Sequence, residues 1–166
     1  IALLLCIPTI DLIFLSIAVY SIFIGSQITE GYLLVPYWKT LSITEFHEYY
    51  SKFGPTINKF YTVLTILATL IPISIGIYCF SNKFHALKYS IVSSFFALLV
   101  IVLFYIYFKD TNQQFYVTVF NTNQLKSVLE TWGYWHWLRV LFEFLSLIFL
   151  ILALNNLSQK KNTIGS

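Results

Sequence analysis

The stretch ETWGYWHWLRVLFEFLSLIFLILAL, residues 130–154, decides how this chain is read. From residue 134 onward it is apolar enough, and at roughly 20 residues long enough, to cross a ~30 Å hydrocarbon core as a helix. Trp132, His136, Arg139 and Glu143 interrupt that character at spacings of four, three and four residues. At ~3.6 residues per turn these spacings keep the group on one stripe over about three turns. Trp135, Trp137, Leu138, Val140, Leu141, Phe142 and Phe144 cover the other faces. Polar groups left unpaired in hydrocarbon are costly, so the stripe is expected to turn inward, toward other helices or a wet cavity.

The whole chain shares this character. Of 166 residues, 58% are hydrophobic and 10% charged, with a mean hydropathy of +0.75, against about 25% charged in soluble proteins. Four apolar runs, residues 1–25, 57–80, 90–108 and 134–154, are separated by polar stretches. Each has about the length of a membrane-spanning helix, and none shows the ~10-residue alternation of a membrane β-barrel. The first run lacks a basic start and a small-x-small cleavage site, so it reads as a retained helix rather than a signal peptide. No internal repeat divides the chain. The expected fold is all-α: a single integral-membrane four-helix bundle over residues 1–166, with short interfacial helices in the two longer connections, 26–56 and 109–133.

The net charge of +3 is small and scattered, which argues against nucleic-acid binding. Residues 81–89 and 155–166 carry Lys83, Lys88, Lys160 and Lys161 with no acid, whereas the longer connections mix Lys39, Lys52, Lys109 and Lys126 with Glu30, Glu45, Glu48, Asp110 and Glu130. The positive-inside bias then predicts a multi-pass protein of the cell membrane with both termini and the short loop cytoplasmic. Cys6 and Cys79 stand alone, without a CxxC, and read as reduced, buried apolar fillers.

Along the chain, Asp11 lies mid-span in the first run, and Arg139 is the sole arginine. A buried triad of Asp11, Arg139 and Glu143 is expected, carrying a net negative charge unless an acid is protonated or a further cation joins it. In the first outer connection Tyr32, Tyr37 and Trp38 suit the headgroup level. Thr44 is positioned to cap a short helix through Phe46, His47 and Tyr50, ended by Gly54-Pro55. Asn58, Thr62, Thr65 and Thr69 give the second span a mildly polar face, the threonines expected to bond back to carbonyls one turn earlier. Pro72 should kink that span or free a carbonyl. The third span, with Ser90, Ser93, Ser94, Tyr105 and Tyr107, reads as scaffold. Asn121, Thr122 and Asn123 offer caps for a short helix leading into the last span.

Trp132, Trp135, His136 and Arg139, as WxxWHxxR, together with Phe46-His47 leading through a Gly-Pro into the second span, resemble the anthrone oxygenase-like family of small four-helix membrane proteins, formerly a domain of unknown function. The likeness covers the four-span layout and most of the chain. Where that family often carries Asn near this point of the last helix, this chain has Trp135-His136. The resemblance implies an oxidoreductase that inserts oxygen into electron-rich polycyclic phenols without a tightly held cofactor.

The candidate catalytic residues are His136, Arg139, Glu143 and His47. His136 or His47 would take a proton from a phenol or quinone-type molecule, and Arg139 would stabilise the resulting anion in a low-dielectric pocket. Asp11, Trp132, Trp135, Tyr50 and Asn58 are the candidate ligand-binding residues, lining an aromatic pocket near the outer leaflet. A metal held by His47, His136 and a carboxylate is the thinner alternative, since no HxxxH or HExxH spacing fixes a geometry. The expected partners are a hydrophobic small molecule or lipid, the membrane itself, and a larger membrane protein complex or homo-oligomer. The alternative function is a non-catalytic subunit that docks onto such a complex, its ionic groups serving only helix packing.

Overall fold

The computed structural model describes residues 9–117 and 120–164, with side chains from 15 to 117 and from 120 to 158. Helix α1, Thr9–Thr29, continues through a π-helical turn, Glu30–Leu34, into α2, Val35–Thr40. Helix α3 spans Ile43–Ser81 and α4 Leu87–Leu103. A second π turn, Phe104–Phe108, leads without a break into α5, Lys109–Val117, and α6 covers Thr122–Ile164. The chain therefore makes four long rods running up, down, up and down, each long and apolar enough to cross a membrane. Helices α1 and α4 sit at opposite corners, each packed against both α3 and α6. The described residues are those of an all-α four-helix bundle.

Local chemistry sets the rod ends. Ser42 Oγ accepts from the Glu45 amide at 3.3 Å, while Glu45 Oε2 accepts from the Ser42 amide at 2.8 Å. This reciprocal cap starts α3. The cap is thus Ser42 rather than Thr44, which lies inside the helix. Asn121 and Gln124 repeat the device at the start of α6, at 2.9 and 3.0 Å. Between α3 and α4, Lys83 adopts a left-handed φ of 52° and the Phe84 amide returns to the Cys79 carbonyl at 2.9 Å. A tight reversal follows.

Three expectations about the connections are corrected. The first rod does not end at residue 25 but runs on to Thr40, so Glu30 is helical and buried rather than part of a loop. Gly54-Pro55 does not end a short helix, and α3 passes straight through it. Pro55 forfeits one hydrogen bond, but the carbonyl it orphans belongs to exposed Ser51, where water can replace the donor. Nor is there, among the described residues, a separate short helix between Asn121 and the last span. Asn121 caps the 43-residue α6 itself, on the order of 65 Å at 1.5 Å per residue. That is about twice the hydrocarbon thickness, so the rods project beyond the membrane.

Two apolar clusters fill the interior. One, around Phe23, Leu64, Ile75, Cys79, Leu150 and Leu154, lies toward the α3–α4 turn. The other gathers Trp38, Phe46, Tyr50, Phe108, Phe115 and Trp132 into an aromatic cap at the opposite end. Ile22, Ile66, Leu70, Ile91, Phe95 and Phe144 point outward, as suits surfaces solvated by lipid. Small residues on α4, among them Ser90, Ser93 and Ala97, are buried against its neighbours. Their size lets backbones approach closely, as membrane-helix packing requires. Cys79 is fully buried and free, its Sγ 3.9 Å from Ser90 Oγ; Cys6 lies outside the described residues.

Candidate functional site

A polar layer separates the two apolar clusters, built mainly from α1 with its π turn and from α6. On α6 the stripe Trp132, His136, Arg139, Glu143 is extended by Ser146, and all five residues are buried. The spacing of the sequence sets that face, and α1 presents a matching one. Tyr20, Gln27, Glu30 and Gly31 are buried along its length. Gly31 is what allows close approach: a Cβ there would lie 2.8 Å from His136 Cδ2 and Nε2 and 3.0 Å from Trp137 Cζ2.

Donor and acceptor types determine the state of His136. Its Nε2 lies 2.9 Å from the Gln27 carbonyl oxygen, which can only accept, so Nε2 carries the proton. Nδ1 then presents its lone pair to Arg139 Nη2, 2.7 Å away. The ring is neutral, with both nitrogens engaged. It stacks on Trp132 with centroids 5.1 Å apart. Trp132 in turn donates its Nε1–H to Asn112 Oδ1 at 3.0 Å.

Arg139 Nη2 is shared more widely. Besides His136 it reaches Gln27 Oε1 at 2.6 Å and Glu30 Oε2 at 3.0 Å. Two N–H hydrogens thus serve three acceptors, one of them a carboxylate in a buried ion pair. The guanidinium carbon also lies 4.6 Å from the Phe108 ring centroid, 5.9 Å from Trp132 and 6.0 Å from Tyr61. Aromatic faces attract the cation where water is excluded, by about 0.5–2 kcal/mol each. Among the described residues the acid hydrogen-bonded to Arg139 is Glu30, which the expected triad of Asp11, Arg139 and Glu143 did not include. Glu143 is 1% exposed, yet neither carboxyl oxygen has a hydrogen-bond partner among the described residues. The side chain of Asp11 lies outside the described residues.

One turn further along α6, a knot of hydroxyls ties all four rods. Pro72 has no N–H to give the Ala68 carbonyl one turn back, and the Tyr20 hydroxyl donates to that oxygen instead, at 2.6 Å. Tyr20 also lies 2.8 Å from Ser146 Oγ. Ser93 Oγ donates to the Ser146 carbonyl at 2.8 Å, and Ser146 Oγ is 2.9 Å from the Ser93 carbonyl. Tyr20, Thr65, Thr69, Glu143 and Ser146, with Phe23, Ala68, Ala97 and Val100, line a cavity of about 10 Å3. That is at the lower limit of the roughly 10–15 Å3 that one water molecule needs, and the open wall is almost entirely apolar.

The remaining candidates lie elsewhere. His47 is half-buried in the aromatic cap, where its Nδ1–H donates to the Phe115 carbonyl at 3.0 Å and its ring parallels Phe120. Among the described residues it shares no hydrogen-bond partner with His136. Tyr50 is packed among Phe46, Phe115 and Tyr116. Asn58 donates to the Tyr116 hydroxyl at 3.2 Å, and Trp135 stacks on Tyr107 at 5.3 Å. Thr62 bonds back to the Asn58 carbonyl as expected, at 2.7 Å, and Thr65 and Thr69 are among the residues lining the cavity. Among the described residues no group of three or more His, Cys, Asp or Glu is arranged to hold a metal.

Sequence reasoning missed Gln27, Glu30, Tyr20, Ser93 and Ser146. The signal was present in the 27, 30, 31 spacing, which continues the buried face of α1, and in Ser146, one turn beyond Glu143 on its stripe. Compared with family models, with curated proteins and with solved structures, the chain shows no match.

Proposed function

We propose that the chain is a non-catalytic subunit of the cell membrane, with both termini cytoplasmic, that docks onto a larger membrane protein assembly. One observation carries this reading. Of the groups a reaction centre would use, both nitrogens of His136, the Glu30 carboxylate and Arg139 Nη2 are spent on each other in one internal network, while Glu143 and Arg139 Nε have no hydrogen-bond partner among the described residues. The adjoining cavity has room for at most a water, not for a polycyclic phenol. A buried network of this kind specifies which helix faces meet and in what register, at some cost in desolvation. Beyond the apolar spans, the aromatic cap offers a folded surface on the outer side, where Tyr32 and Tyr134 are 72% and 80% exposed. Lys83, Lys88, Lys160 and Lys161 support the orientation.

A second reading, oxidation of a hydrophobic phenolic or quinone-type molecule, is favoured by the free oxygens of Glu143 beside the cavity. The two part on what the full chain carries out of its native membrane. The first predicts a second membrane polypeptide at fixed stoichiometry by native mass spectrometry, retained in two unrelated detergents. A monomer carrying a small aromatic or quinone would overturn the first reading and support the second.

A further inference from the structure

The end of the bundle that carries the α3–α4 turn is charged almost entirely with one sign. Lys83 sits in the turn and Lys88 in the first turn of α4, both exposed, and neither residues 49–109 nor residues 144–166 contain an acid. Leu157 of α6 packs in the same apolar cluster as Ala86 of the turn, and α6 continues to Ile164. Lys160 and Lys161 follow one helical turn beyond that contact, so this end gathers Lys83, Lys88, Lys160 and Lys161. The one acid on a rod here is Asp11, near the start of α1. At the opposite end Lys39, Lys52, Lys109 and Lys126 are interspersed with Glu45, Glu48, Asp110 and Glu130. Aromatic rings accompany the basic group. Phe80, at the end of α3, is 72% exposed, Tyr78 packs on Phe84 with centroids 5.7 Å apart, and Lys88 Nζ lies 4.8 Å from the Tyr89 centroid. Rings beside ammonium groups suit the boundary between acyl chains and headgroups. Lys83 holds its left-handed φ of 52°, a conformation that glycine or asparagine adopts more readily. A charge stands where the turn by itself favours a residue with little or no side chain.

We infer that this end of the protein is a docking surface for anionic phospholipid headgroups, with the lysines attracting the lipid phosphates and Phe80 seated at the acyl boundary. Charge complementarity selects the occupant: a group of four lysines at the end of membrane helices enriches acidic lipid beside it. The short connection between α3 and α4, residues 82–86, keeps Lys83 and Lys88 close to the ends of two spans. A lipid reaches them without leaving its leaflet, whereas an acidic protein would have to reach past the headgroups. The inference is independent of the docking role proposed above.

The test is native mass spectrometry of the purified full chain in detergent, titrated with phosphatidylglycerol and with phosphatidylcholine of the same acyl chains. The wild type should retain phosphatidylglycerol in preference. Lys83→Gln combined with Lys88→Gln should weaken that binding roughly 25-fold, at about five-fold for each lysine near a charged surface. Raising the salt from about 0.1 M to about 1 M should weaken it as well, since the screening length falls from ~10 Å to ~3 Å. Lys52→Gln combined with Lys126→Gln removes the same charge from the opposite end and should leave the binding unchanged. Lys83→Gly separates binding from folding: lipid retention should fall about five-fold, while the unfolding midpoint holds or rises because glycine suits the left-handed φ. Equal retention of the two lipids by the wild type, or equal losses from the two paired substitutions, would overturn the inference. Should the variant at 83 and 88 not fold, Lys83→Gly decides, and undiminished phosphatidylglycerol retention in it rejects the site.

Discussion

Gly31 stands where the first rod comes nearest the His136 ring, and its missing side chain sets how tightly the polar layer closes. Adding one methyl places carbon 2.8 Å from two ring atoms, closer than van der Waals contact allows. Gly31→Ala should cost roughly 1–3 kcal/mol, the usual penalty of overpacking. Gly25, on an exposed face of the same helix with nothing within 4 Å, is the control. Gly25→Ala should gain about 0.5–1 kcal/mol from the backbone term alone. Reversible denaturation in detergent checks both, and equal effects would show that the close approach to His136 is absent. At this scale the α6 stripe was legible, because spacings of four, three and four define one helical face whatever surrounds it. Glu30 was not. SQITEG, residues 26–31, has the composition of a loop, and its burial depends on the rod continuing past its apolar run, which only packing against α6 reveals.

Among the elements, α3 shows how a helix defect can be used. Pro72 withholds the donor that the Ala68 carbonyl would have, and Tyr20 supplies one from α1. Tyr20→Phe should therefore destabilise by about 0.5–1.5 kcal/mol, the net value of an intramolecular hydrogen bond. Restoring the backbone donor with Pro72→Ala should make that loss smaller by roughly 0.5–1 kcal/mol, a coupling that a double-mutant cycle reads directly. Strict additivity would mean that the two residues do not share the Ala68 oxygen. The proline's consequence for its carbonyl was foreseeable from chemistry alone, whereas the identity of the new donor was not, since Tyr20 lies 48 residues away. Pro55 misled for the opposite reason. It reads as a helix boundary, yet the carbonyl it orphans lies on the exposed Ser51, where an unmet acceptor costs little.

For the molecule as a whole, hydropathy made the four rods and their all-α character plain, because lipid permits few ways to satisfy a spanning backbone. The length of the rods beyond the apolar runs was hidden, since residues 35–54 and 109–133 are too polar to register as spans and are held by the aromatic cap instead. That cap yields a prediction at this scale. Phe115 is fully buried, in edge contact with both Phe46 and Tyr50. Phe115→Ala should cost about 3–5 kcal/mol and raise protease cleavage in residues 35–54 and 109–133 while leaving the spans protected. Cleavage spread evenly along the chain would show that cap and spans are one cooperative unit. The central claim, that the buried ionic layer locks the bundle, is tested most directly by a double-mutant cycle on Glu30→Gln and Arg139→Gln, read as unfolding free energy of the full chain. Each single change leaves one buried charge unpaired and should cost roughly 3–5 kcal/mol. The double variant should recover much of that loss, while additive losses would contradict the pairing of Glu30 with Arg139 on which the account rests.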